Sequence, residues 1–209
     1  MDDNFTKIKN LLTYTTLSDK TYNGRNYDAG YHTLNIHGKT ILGQRKPLYR
    51  LENLNYNFQE KIILDIGCNQ GGMLFELQNK IKEGVGIDYN PKLINVATRI
   101  SNSHNYNNLS FYTFDLDNED LNLIINFLNN PIDVIFLLSV CMWIKNWENL
   151  IAWVYQNSNY CLFETNGKSA EQIKQIEVLK SFYKKVDIIR ETSDDDPKQK
   201  KRSTLWCQK

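Results

Sequence analysis

The apolar positions divide the chain near residue 58. Before it they are scattered among tyrosines and asparagines and are only weakly periodic. The spacing predicts a short helix over residues 4–12. Residues 13–41 read as loop, broken by Gly24, Gly30 and Gly38, with Gly43 just beyond. Proline is tolerated in a first turn, so Pro47 predicts a helix start, and Leu48, Leu51 and Leu54 give that helix an apolar stripe. From residue 61 the pattern alternates between strand and helix. Residues 61–67 are nearly all apolar and end at a glycine, as in a strand buried on both faces. Leu74, Leu77 and Ile81 predict a helix over residues 72–81. Further strands are predicted over 84–88, 109–116, 133–140 and 160–164. The helices between and after them open at Pro91, or cover 121–128, 147–155 and 169–182. Ser169 followed by Gln172 reads as the capping box of the last helix. Residues 185–191 and 203–208 are two more strands. The polar segment 192–202 between them is too short for a crossover helix, so the pair is expected to be an antiparallel hairpin. Five β-α units and a hairpin predict an α/β sheet with helices on both faces.

Composition narrows the picture. A chain of 209 residues suits one domain, and 41% hydrophobic with 23% charged residues is globular rather than disordered. The longest apolar run, residues 134–144, falls well short of the ~20 needed to span a bilayer. The start, Met1-Asp2-Asp3, lacks the basic and apolar regions of a signal peptide, so a soluble, cytoplasmic protein with no membrane contact is expected. Lys plus Arg is 25 against 24 for Asp plus Glu, a net charge of +1, which lacks the basic excess of a phosphate-neutralising nucleic-acid binder. The run Lys198–Arg202, offset by the acids Asp194–Asp196, reads as a solvated loop. Cys68, Cys141, Cys161 and Cys207 form no C-x-x-C pair, and no metal site is expected.

The chemistry concentrates after the first long strand, in Leu64-Asp65-Ile66-Gly67-Cys68-Asn69-Gln70-Gly71-Gly72. Gly67 and Gly71 remove side chains where a ligand must approach the backbone. The next helix offers unpaired N–H groups at its start. Asp65 aims a carboxylate into the same crevice, where it would repel a pyrophosphate and attract a cation. That argues against a nicotinamide enzyme, whose G-x-G-x-x-G turn holds phosphate. Asp88, about 20 residues further on at the end of the second strand, suits ribose hydroxyls.

These residues resemble the first motif of the class I S-adenosylmethionine-dependent methyltransferases, L-D-[IV]-G-C-G-x-G. This chain has L-D-I-G-C-N-Q-G, with Asn69 where the family has glycine; asparagine tolerates positive φ, so the turn can survive. The resemblance covers residues 61–209 in element order. It implies a Rossmann-like fold, a seven-stranded, mostly parallel sheet ending in a C-terminal antiparallel hairpin. Residues 58–209 would form the methyltransferase domain and residues 1–57 an N-terminal extension covering the site. It implies S-adenosylmethionine as cofactor, held by Asp65, Gly67, Cys68, Asn69, Gly71 and Asp88. Asp115 would meet the adenine edge, with Tyr89 and Leu116 on the adenine faces, and Ser139 would lie near the methionine part. Arg45, entering from the extension, would hold the cofactor carboxylate by a two-pronged hydrogen bond. An acceptor hydroxyl needs a base, for which His32 on the extension and Glu164 at the end of the fifth strand are the candidates. The expected function is methylation of a small polar acceptor, at oxygen; the Asn-Pro-Pro-Tyr type motif of adenine or glutamine N-methylation is absent. The alternatives are a methyltransferase acting on tRNA wobble uridine, favoured less by the charge balance, and a non-catalytic adenosyl-binding module.

Overall fold

The computed structural model describes residues 3–15, 27–194 and 201–209. Its centre is a seven-stranded sheet. The strands are β3 (Ile62–Ile66), β4 (Glu83–Asp88), β5 (Leu109–Thr113), β6 (Val134–Leu138), β7 (Tyr160–Glu164), β8 (Lys185–Arg190) and β9 (Thr204–Gln208), in the spatial order β5-β4-β3-β6-β7-β9-β8. The first five run parallel, and β9 is antiparallel to both β7 and β8. This is the Rossmann-like α/β fold with its closing hairpin. The apolar runs are explained by the pleat, which sends alternate side chains to opposite faces. Val134, Phe136 and Leu138 of β6 enter the core on one face with α2 (Gly72–Leu77) and α3 (Pro91–His104). Ile135 and Leu137 enter the core on the other, with α4 (Trp147–Asn157) and α5 (Ser169–Phe182). Both faces are covered, so neither set of positions can be polar.

Before the sheet come α1 (Asp3–Thr15) and the hairpin of β1 (Leu34–Ile36) with β2 (Lys39–Ile41). Residues 13–41, expected to be loop, therefore contain the end of a helix and two strands. His37 and Gly38 both take positive φ, 47° and 74°, which is the backbone of the tightest hairpin turn. Strands of three residues carry too little alternation to be read. Ile8, Leu12, Leu34, Ile36 and Ile41 pack with Val96 and Ile100 of α3, so the N-terminal segment is seated on the sheet's helix layer through a small shared core. The expected loop breaker Gly24 lies outside the described residues, as do Asp195 to Lys200 of the hairpin loop.

Several boundaries differ from expectation for local reasons. The helix expected from Pro47 is a single 3₁₀ turn, Pro47–Arg50. The third strand stops at Thr113 because the Asp115 carboxylate accepts from the Asp117 N–H (3.0 Å) and closes a turn. Leu121–Phe127 is 3₁₀ rather than α. Its three-residue period lines up Leu121, Ile124 and Phe127 toward the core and leaves Leu123 and Ile125 exposed. Ser169 is not the N-cap of α5, because Lys168 holds that position and its N–H donates to Glu171 (2.5 Å). Gln172 instead bridges Thr165 and the Gly167 carbonyl.

Among the described residues no helix is long and apolar enough to cross a membrane.

Candidate active site

β4 and β5 lie on one side of β3, and β6 lies on the other. The chain therefore reverses its direction of winding between β3 and β6, and a crevice opens at their carboxyl ends, where doubly wound sheets bind ligands. The turn leaving β3 lines this crevice. Gly67, Asn69 and Gly71 all have positive φ (75°, 53° and 79°). Asn69 thus occupies the left-handed conformation that its family position requires. A Cβ on Gly71 would lie 2.7 Å from the Phe111 ring, and one on Gly67 2.6 Å from Val140. Neither site has room for a side chain. The Gly67 and Cys68 N–H groups donate to the Ile87 carbonyl (2.8 and 3.0 Å). Asp88 stitches the turn to β4: one carboxylate oxygen accepts from the Asn69 N–H (3.0 Å), the other from the Asn90 N–H (2.9 Å). Burial pushes the Asp88 carboxyl up, and those two N–H bonds pull it back.

Asp65 sits in β3 between Gly86 of β4 and Phe136 of β6. It is buried, and its Oδ2 has no hydrogen-bond partner among the described residues. Burial raises its carboxyl to about 7; Arg50 opposes this, and the neighbouring Asp88 adds to it. Cys68 points elsewhere. Its side chain is in the core with Phe111 and Ile94, and burial, Asp65 and Asp88 drive the thiol up. Its expected role in holding a ligand is thereby limited to its backbone. Tyr89 is 73% exposed beside the crevice, while Leu116 is packed partly into the core. Asp115 is at the surface. Its oxygens accept from Asn118 Nδ2 (2.8 Å) and the Asp117 N–H, and these bonds lower its carboxyl.

The ends of β6 and β7 carry a second cluster. Ser139 has φ of 60°, a conformation a serine adopts only when its surroundings fix it. Its N–H donates to the Glu164 carbonyl (3.0 Å) and its hydroxyl to the Glu164 carboxylate. Its carbonyl accepts from Asn166 Nδ2 (2.6 Å), and Asn166 Oδ1 accepts from the Met142 N–H (3.1 Å). Glu164 is fully buried and accepts from Arg45 Nη1 (2.7 Å), Arg45 Nη2 (2.9 Å) and Arg50 Nε (2.8 Å). Burial alone would raise its carboxyl, but Arg50 and Arg45 hold it well below the usual carboxylate range. Arg45 Nε meets Asp194 (2.9 Å), and Tyr31 Oη accepts from Arg45 Nη1 (3.0 Å) and Arg50 Nη2 (3.3 Å).

Three expectations are corrected here. Arg45 does not present a free fork to a cofactor carboxylate, because Glu164 takes both of its terminal nitrogens. Glu164 is not placed as a base: a carboxylate held by two guanidiniums and a hydroxyl has little tendency to take a proton. His32 is buried with Nε2 at 3.3 Å from Arg50 Nη1. A guanidinium only donates, so Nε2 accepts and Nδ1 carries the proton. Burial, then Arg50 and Arg45, push the His32 pKa well below its ordinary value, and the ring is neutral with its lone pair facing a cation. Its ring lies on the start of α2, where a Cβ on Gly72 would come within 2.6 Å of Nδ1. The three residues instead form one structural assembly. A bridge pairs His32 with Arg45, and Glu164 ties that bridge to the sheet. The sequence places Tyr31, Arg50 and Asn166 near the candidates without giving them a role, and Asp194 reads there as part of a solvated loop.

With this geometry in place, the comparisons with known proteins decide the family. A family described as "Methyltransferase domain" matches residues 44–193, most of the chain. The chain belongs to that methyltransferase family. No curated protein matches its sequence. Solved structures share the fold. The N-terminal domain of EvdMO1 with SAH bound is 9% identical, with a TM-score of 0.68 over 100% of this chain and 97% of that one. WbdD, elsewhere described as a bifunctional kinase-methyltransferase, is 18% identical with a TM-score of 0.68. That match covers 96% of this chain and 46% of WbdD, so this methyltransferase spans less than half of that protein's length. A precorrin-6y C5,15-methyltransferase from Geobacter metallireducens is 12% identical, with a TM-score of 0.59 over 78% of this chain and 88% of that one.

Proposed function

We propose that this methyltransferase moves a methyl group from S-adenosylmethionine to an oxygen of a small polar acceptor. The bound cofactor supplies an activated methyl on a sulfonium, so no metal or redox step is required of the protein. The single observation that carries the reading is the buried, unpartnered Asp65 Oδ2 beneath a left-handed turn at the switch point of the sheet. A carboxylate there suits a ligand bearing an ammonium and a sulfonium, and disfavours a dinucleotide. Each Asp88 oxygen retains a lone pair beyond its backbone bond, which suits ribose hydroxyls. The exposed Tyr89 ring offers a face for adenine. Tyr31, His32 and Arg45, seated by Glu164 over the ends of β6 and β7, exclude water from that side of the crevice.

The test is transfer of isotopically labelled methyl from S-adenosylmethionine into cell extract by the purified protein. Label in small molecules, as an alkali-stable ether or labile ester, is the expected result. Label in tRNA would replace the acceptor, and cofactor binding without label would leave a binding module.

A further inference from the structure

Resting on that reading of the site, we propose that the cofactor's ammonium group displaces a proton from Asp65, so that binding and proton release are coupled. Asp65 is buried in a central strand, and Oδ2 has no donor among the described residues. On the β4 side it faces a second carboxylate, Asp88, and on the β6 side the apolar Phe136. Cys68 of the turn above is directed into the core, and its thiol, kept protonated by burial, adds no charge. Among the described residues one cation acts on Asp65, Arg50 from the 3₁₀ turn Pro47–Arg50, and that charge is already shared with Glu164 at 2.8 Å. His32, beyond Arg50, is neutral and adds no charge. A buried carboxyl so placed holds its proton near neutrality, and its value of about 7 agrees. An ammonium brought against Oδ2 supplies the missing cation and ionises the group.

Linkage fixes the sign. Below pH 7 the empty site is protonated and binding must expel the proton, so affinity rises with pH. The expected gain is about fivefold between pH 6 and pH 7, a range below the titration of the ligand's own amino group. The experiment is calorimetric titration of the full chain with S-adenosylhomocysteine at pH 6.5, in phosphate and in imidazole, buffers of different ionisation enthalpy. The proposal expects different apparent enthalpies, corresponding to release of more than half a proton per site. It also expects Asp65→Asn, which mimics the protonated form and so folds, to abolish both the release and the pH dependence. Equal enthalpies in the two buffers, or undiminished release from Asp65→Asn, would overturn the proposal while leaving the cofactor assignment intact. No binding in either buffer would overturn both.

Discussion

Asp65 and Glu164 are the same chemistry placed two strands apart, and the protein treats them in opposite ways. Both end up buried at the carboxyl side of the sheet. Glu164 receives two guanidiniums and a hydroxyl, and its charge is fixed. Asp65 receives no hydrogen bond at Oδ2 among the described residues, and its charge is conditional. The difference separates structure from function. A carboxylate meant to hold the fold together is satisfied by the chain itself. One meant to hold a ligand keeps a lone pair for it and accepts a cost in stability.

The largest expected effect breaks the satisfied side. Glu164→Gln leaves Arg50 buried without a charge partner and Arg45 with Asp194 alone, and should cost about 3–5 kcal/mol in chemical denaturation. A loss under 1 kcal/mol would mean that Asp194 and Tyr31 suffice. The conditional side should respond with the opposite sign. The Asp65 carboxyl is raised in the folded state, so the folded protein binds the extra proton. Stability therefore falls as pH climbs from about 4, and the full cost is present above about pH 7. Asp65→Asn should stabilise the cofactor-free protein by up to about 4 kcal/mol at pH 8, with little gain at pH 4. Glu164 behaves inversely: its contribution is present above the ordinary glutamate range and is lost only as acid drives the pH through its depressed value. Thermal melts across pH for the two variants read both signs.

Smaller effects sharpen the contrast. Asp88→Ala removes charge-assisted bonds worth about 1.5–3 kcal/mol, or roughly 10- to 150-fold in cofactor affinity by calorimetry. Because Asp88 also holds the Asn69 and Asn90 N–H groups, its melting temperature should fall as well. Asp115→Asn should be the mildest. The amide can still close the turn, and denaturation should move by no more than about 0.5 kcal/mol. A larger loss would show that the turn depends on the carboxylate charge.

How much of this was legible in the sequence follows from range. The buried strands announce themselves, because a strand covered on both faces is apolar at most of its positions. The glycine turn is legible because only glycine or asparagine fits its backbone, and Asp65 and Asp88 because they end strands beside it. The Glu164 cluster is a different case. Arg45 and Glu164 are 119 residues apart and Arg50 and Glu164 114, and nothing local to any of them specifies the pairing. Residue type alone made His32 and Glu164 attractive as bases; their neighbours, supplied only by the fold, remove that role. The β1–β2 hairpin was missed for the converse reason, since its strands are too short to show a period and its turn begins with histidine rather than asparagine or glycine.

The central claim is that the crevice above Asp65 takes an adenosyl sulfonium. Titrating the purified protein with S-adenosylmethionine in a calorimeter at pH 7 addresses it without reference to any acceptor. The account predicts saturation at one ligand per chain, with affinity that drops when Asp65 becomes asparagine. A flat titration, or equal affinity in the variant, would contradict it.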